Sequence, residues 1–233
     1  MNQVTDQQII EILRKEAVPA LGCTEPVACA LACAKCKEVL GDVPEHLDVL
    51  VSGNIYKNGM GVGIPGTGMV GLPIAAALGA VCGKSEYGLE VLKEVNVGDN
   101  LQRAKDMLGQ VKVSLKEDAP DKLYAEALAT KGNDTVKVII VHTHTNIVLV
   151  EKNGKEIFKR EFRLDTSKPE DKGPELSVKR IWDFVHQVDV KDIEFVLQGA
   201  EMNKAISAEG LKSEYDNLCR KETEVLSSKK QIE

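Results

Sequence analysis

Apolar and polar positions divide this chain into a helical first half, a strand-rich middle and a helical end. Thr5 and Gln8 have the spacing of a capping box, and Ile9, Ile10 and Leu13 then recur at helical intervals, so a first helix is expected to open at Thr5. A loop with Pro19 and Gly22 leads through Cys23-Thr24-Glu25-Pro26 into a second expected helix over 27–40. Pro26 suits its first turn, where a missing N–H costs nothing. Leu47, Val49 and Val51 recur at every second position and predict a strand over 46–53. A glycine-rich loop follows, then helical stretches at 72–81, 87–95 and 100–108. From 110 to 163 the pattern shortens to alternating runs at 111–115, 123–129, 136–141, 145–150 and 156–162. Asn153-Gly154 between the last two is the strongest hairpin signal, and a meander of antiparallel strands is expected. Pro169, Gly173 and Pro174 mark a boundary over 165–175, after which 178–187 and 193–207 read as helices, with a charged stretch to Glu233. The expected class is α+β: an antiparallel sheet with packed helices and a helical C-terminal segment. The expected domains are 1–165, with the glycine-rich loop, and 166–233.

Composition narrows the partners. With 233 residues, 43% of them hydrophobic, there is enough apolar material for a real core, and a net charge of -6 argues against nucleic acid. The 26 uncharged residues between Lys57 and Lys84 are long enough to span a bilayer. Six glycines from Gly59 to Gly71, with Pro65 and Pro73, argue against a membrane helix, since each glycine costs roughly 1 kcal/mol and an interior proline about 3. The polar N-terminus and six scattered cysteines fit a cytoplasmic protein with reduced thiols better than a secreted disulfide framework.

Several constellations could carry chemistry. Cys29, Cys33 and Cys36 have the C-x3-C-x2-C spacing of a radical-enzyme cluster motif, but the residues between them are helix formers. On a helix the three share one face, and the plainer reading is core packing. Cys23 sits before the second helix, whose positive end favours a thiolate; it reads either as a presented thiol or as a buried loop residue, with Glu25 able to cap the same helix. Gly66-Thr67-Gly68-Met69-Val70-Gly71 matches G-x-G-x-x-G without the preceding strand that a dinucleotide site needs. Two readings remain for it: a nest of N–H groups for an anion, or tight backbone packing. Ser52, Asn54, Lys57 and Asn58 cluster where the first strand hands over to a loop, and suit either gripping an amino acid or a solvated turn. His142 and His144 flank Thr143, so on a strand they would point to one face, with Asn146 continuing the polar patch. They read as a metal or base pair, or as ordinary strand residues.

These pieces share an order. Ala20-Leu21-Gly22-Cys23-Thr24-Glu25-Pro26, Lys57-Asn58-Gly59, the run from Ile64 to Gly79 and His144-Thr145-Asn146-Ile147 together closely resemble the L-cysteine desulfidase family, relatives of the iron–sulfur L-serine dehydratases. The likeness covers roughly residues 8–210 and only the N-terminal half of that family's usual length. The resemblance implies a lyase that splits L-cysteine to sulfide, ammonia and pyruvate on a [4Fe-4S] cluster with three cysteine ligands and one open iron. It implies that Cys23 is the first of those ligands. It makes Lys57 and His144 the candidate proton carriers, and Ser52, Asn54, Asn58, Thr67, Gly68 and Asn146 the candidate substrate contacts. The family's other two cluster cysteines lie in its C-terminal half, and nothing after Asp165 supplies them; Cys219 stands alone in a charged stretch. The chain is therefore expected to hold one ligand, with a C-terminal-half chain or a homo-oligomer as partner and L-cysteine or L-serine as the small molecule bound. The competing readings are a non-catalytic amino-acid-binding or interaction module, an iron–sulfur L-serine dehydratase, and a radical enzyme using Cys29, Cys33 and Cys36.

Overall fold

A computed structural model describes residues 4–161 and 176–211, which group into two compact units: 19–161, and 4–18 with 176–211. The helices in chain order are α1 (Asp6–Glu16), α2 (Thr24–Leu40), α3 (Gly53–Gly59), α4 (Leu72–Val81), α5 (Asn100–Met107), α6 (Val178–Gln187), α7 (Val190–Ile193) and α8 (Val196–Gly210). The strands are β1 (His46–Val51), β2 (Gly63–Ile64), β3 (Met69–Val70), β4 (Val111–Leu115), β5 (Tyr124–Lys131), β6 (Asp134–Val141), β7 (Ile147–Lys152) and β8 (Lys155–Lys159). The fold is α+β, with a mostly antiparallel sheet. Among the described residues no helix is long and apolar enough to cross a membrane.

The main sheet has the order β4-β1-β5-β6-β7-β8. Strands β5 to β8 form the expected meander, and Asn153-Gly154, both at positive φ, close the β7–β8 hairpin. The run at 111–115 does not join that meander. As β4 it lies at the edge, parallel to β1, because helical chain intervenes between the two strands and returns β4 in the same direction. Strand β1 pairs antiparallel with β5 on its other side, Leu47 opposite Ala129 and Val51 opposite Ala125. At the far edge, β8 is exposed along its whole length.

Alternate residues of β1, β5 and β6 are buried on one face, where α2 packs. Over Pro26–Ala34 helix α2 is apolar all round because it is covered all round, by β5 and β6 on one side and α4 on another. Cys29, Cys33 and Cys36 are fully buried in this core. The Cys36 thiol donates to the Ala127 carbonyl at 3.5 Å and the Val136 carbonyl at 3.6 Å. Burial pushes the Cys29 thiol up to about 12 and the Cys33 and Cys36 thiols up as well, so the three pack as small apolar residues. The contact between α2 and α4 is unusually close: a Cβ at Gly79 would lie 2.7 Å from the Ala30 Cα and strike its carbonyl oxygen.

Two local expectations change. The stretch 87–95 is a 3-10 segment, Ser85–Glu90, running into turns, because Gly88 at φ 54° breaks the helical path. Residues 53–59, read as a loop, form helix α3, with Ile55 and Gly59 buried on one side.

In the helical unit, the α1 capping box forms as expected: the Gln8 amide donates to Thr5 Oγ1 at 3.2 Å, and the Thr5 amide to Gln8 Oε1 at 2.9 Å. Ile9 and Ile10 pack with Val4 and Phe184. Buried Arg180 on α6 donates to the Val4 carbonyl at 2.6 Å and pairs with Asp6, so its charge is neutralised. These contacts group α1 with the C-terminal helices, where the sequence placed it with the sheet. The helix read over 193–207 is α8, starting at Val196, and the short α7 precedes it and ends at Ile193.

Gly79→Ala is expected to destabilise the chain by about 1–3 kcal/mol through overpacking against the α2 backbone. Gly109→Ala, with nothing within 4 Å of its Cβ, should be close to neutral. Urea denaturation of both variants checks this, and equal midpoints would disprove it.

Candidate functional site

The N-terminus of α2 carries the candidate site. Cys23 is its N-cap residue, in extended conformation, and its thiol donates to Glu25 Oε2 at 2.9 Å. Asn58 on α3 donates its side-chain amide to Glu25 Oε1 at 3.0 Å. One carboxylate therefore ties the start of α2 to α3, with a different partner on each oxygen. Burial alone would raise the Glu25 carboxyl, but the hydrogen bonds from Cys23 and Asn58 outweigh it and hold the group below its usual range. It also stands in the first turn of α2, where the helix dipole favours negative charge.

The Cys23 thiol is shifted up, by burial first and then by its hydrogen bond to Glu25. This runs against the expectation of a thiolate favoured by the helix end: burial first, and then the adjacent carboxylate, favour the protonated thiol as a donor. His144 is half-buried and shifted down by burial, with the charge of Glu25 acting in the opposite direction. Its neutral form is thereby favoured. Gly22 completes the setting, since a Cβ there would lie 3.1 Å from Pro65 Cγ at the start of the glycine-rich loop.

The histidines do not share a strand face. Strand β6 ends at Val141, and His142 at φ 67° turns the chain into a loop over 142–146. His142 pairs with Asp121, while His144 lies near enough to Glu25 to feel its charge.

The remaining candidates separate by what already occupies them. Asn54, Lys57 and Asn58 lie at i, i+3 and i+4 on the exposed side of α3. Ser52 is buried: its hydroxyl donates to the Lys122 carbonyl at 2.7 Å and accepts from the Tyr124 amide at 3.3 Å, anchoring the start of α3 to β5. Thr67 is buried in the β2–β3 turn, donating to the Ile64 carbonyl at 2.7 Å and accepting from the Met69 amide at 2.9 Å. Gly68 beside it is exposed and has open space around it. Asn146 donates to the Val141 carbonyl at 3.0 Å and accepts from Arg160 at 2.8 Å. Of the two readings of the glycine motif, tight packing describes Gly66 and Gly71, whose Cβ positions would fall 2.6 Å from Asn96 Nδ2 and 2.9 Å from the Met60 carbonyl.

Glu25, read from sequence as a helix cap, is the hub of the cluster. Its signal was available: an acid between two hydrogen-bonding residues and a proline at a helix start, beside the candidate thiol.

A [4Fe-4S] cluster needs three thiolates here. Among the described residues no group of three Cys, His, Asp or Glu side chains is placed to hold a metal. Cys23 is accompanied by a carboxylate and an amide, a set that does not make a cluster site, and Cys219 lies outside the described residues.

Comparison with known proteins finds relatives along most of the chain. It is 44% identical over 227 residues to a UPF0597 protein of Parabacteroides distasonis, covering 95% of this chain and 52% of that protein. A UPF0597 protein of Aeromonas hydrophila is 44% identical over 205 residues, covering 87% of this chain and 46% of the relative. For one of Dichelobacter nodosus the values are 44% over 215 residues, 91% and 49%. The chain thus spans about half the length of the curated relatives it matches. No family model matches it, and no solved structure does.

Because the Glu25 carboxylate helps hold the Cys23 thiol up, Glu25→Gln removes a charge that opposes ionisation. The Cys23 titration should move to lower pH, and iodoacetamide should alkylate Cys23 about 2–10 times faster at pH 8. Peptide mapping by mass spectrometry separates Cys23 from the buried thiols; an unchanged rate would count against the Glu25–Cys23 bond.

Proposed function

We propose that this chain is the substrate-binding half of an L-cysteine desulfidase-like lyase. The supporting observation is convergence. Four segments that carry the family resemblance, far apart in sequence, meet around the start of α2: Cys23 with Glu25, Asn58 from α3, His144 from the 142–146 loop, and Pro65 against Gly22.

The reaction takes L-cysteine and water to pyruvate, ammonia and hydrogen sulfide. A base removes the Cα proton, the Cβ–S bond breaks, and the resulting enamine hydrolyses. His144, whose neutral form burial favours, is the proposed base, with exposed Lys57 as a second proton carrier. Amides of Asn54 and Asn58 on the exposed side of α3 suit an amino acid's carboxylate, and exposed Gly68 leaves open space for it on the glycine-rich loop. Ser52, Thr67 and Asn146 act one step back, holding the backbone that presents these groups.

The proposed cofactor is a [4Fe-4S] cluster to which this chain gives Cys23. Since the described residues do not form the cluster site, departure of the sulfur is assigned to groups outside them. The proposed partner is a polypeptide, or a second copy of this chain, that brings the remaining cluster ligands. The proposed setting is the cytoplasm, where the thiol remains reduced.

Anaerobic reconstitution with iron and sulfide tests the reading, with the chain alone and mixed with the unmatched half of the Parabacteroides distasonis relative. Sulfide release from L-cysteine is expected only in the mixture. Cys23→Ala should abolish it, and His144→Asn should lower it by about 10²–10⁴-fold. Release by the chain alone would overturn the two-part arrangement; no release and no cluster absorbance in the mixture would overturn the lyase reading.

A further inference from the structure

A groove of about 430 Å³ lies between the second half of α2 and the β7–β8 hairpin, away from the contacts of Glu25. Val39, Ile147 and Phe158 are among its apolar walls, and the cations Lys35 and Arg160 stand at its rim. The volume is within the usual range for small-molecule sites, and the lining has their usual composition of apolar walls with a few polar groups. We infer that this groove binds a monocarboxylate with a compact apolar body, and that the ligand acts on the loop carrying His144 through Arg160.

The two cations are not equally available. Lys35 is 3.2 Å from Glu38, whose carboxylate also accepts the Ser85 amide and hydroxyl, each at 2.6 Å. Arg160 has no carboxylate partner among the described residues. Its one described side-chain bond is to a neutral acceptor, Asn146 Oδ1, at 2.8 Å. A guanidinium presents a planar fork that matches a carboxylate with two parallel bonds, and such charge-assisted bonds are about twice as strong as neutral ones. The anion's remainder would lie against exposed Phe158 and partly buried Ile147, apolar groups that gain from cover.

The coupling follows from what Arg160 already holds. Asn146 spans the 142–146 loop: its side chain donates to the Val141 carbonyl at 3.0 Å, its carbonyl accepts the Val141 amide at 3.2 Å, and its side-chain oxygen receives Arg160. Thr145, its neighbour, lines the groove, and His144, the next residue, feels the charge of Glu25. A carboxylate that takes the edge of Arg160 holding Nη1 competes with Asn146, which Nη1 already reaches. Ligand binding and the setting of this short loop are therefore linked by one hydrogen bond.

Titration of the ¹⁵N-labelled full chain with 3-phenylpropionate tests both parts and needs no turnover, so it stands independently of the lyase reading. Saturable shifts are expected at the amides of Thr145, Ile147 and Phe158 and at the Asn146 side-chain NH₂, with a Kd of about 1 mM for so small a ligand. Arg160→Gln should weaken binding by at least about tenfold. Phe158→Ala should also weaken it, while leaving the Arg160–Asn146 bond in place. The neutral 3-phenyl-1-propanol and the tailless propionate should each bind at least about tenfold more weakly. Equal binding of either analogue, indifference to Arg160→Gln, or shifts elsewhere on the chain would overturn the site. Binding that leaves Asn146 and Thr145 unshifted would overturn the coupling.

Discussion

The sheet unit is organised by the close approach of two helices. Where Gly79 meets Ala30, α4 and α2 come nearer than side chains larger than hydrogen would allow, and small residues along both helices make the same economy of space. Packing this dense leaves α2 without freedom to slide or roll. Its far side is held against β5 and β6, down to the Cys36 thiol bonded to strand carbonyls. The candidate site inherits that rigidity. Cys23 and Glu25 project from the first turn of an immobilised helix; α3 is pinned by Ser52 to β5, and its last residue, Gly59, rests on Leu72 at the head of α4. A constellation held on regular elements keeps its geometry better than one held on loops alone.

Four cysteines within one stretch show how environment, rather than residue type, divides chemistry. Three face a dry core, where an anion is disfavoured and the sulfur serves as filling. The fourth, at the helix entrance, meets water on one side and a carboxylate on the other. The same carboxylate reaches α3 and the loop of His144, so charge placed on or removed from Glu25 is felt by three elements together. That concentration of dependence on one side chain is characteristic of sites in which several weak contacts must be aligned at once.

Much of the fold was legible because local chemistry and global packing agreed. The Thr5–Gln8 box, the helices over 72–81 and 178–187 and the Asn153-Gly154 turn are each specified within a few residues. Elements set by distant partners were not. The edge strand β4 is fixed by its pairing with β1, which alternation cannot reveal. Helix α3 hides behind asparagine and glycine, residues of turns, and forms because Ile55 and Gly59 are drawn into the core while Ser52 anchors its start. His142 breaks the alternation that seemed to pair it with His144. In the site, Cys23, Asn58 and His144 were readable from their motifs. The bonds that engage Ser52, Thr67 and Asn146 run to backbone groups that sequence spacing does not identify, and Glu25 was hidden by having a sufficient local explanation.

The outer strand of the sheet carries a consequence of its own. With all five residues of β8 exposed, its outer edge is a template onto which a further strand could add. Lys155 and Lys159 stand on that strand, and an incoming backbone would bring its own side chains against them while stripping water from their charges. Among the described residues the sheet ends at β8, where Lys159 is paired with Glu156 at 2.7 Å, so an added strand would have to desolvate charged side chains. The same hairpin thus presents a charged edge to other chains and, on the groove side, apolar walls to small molecules.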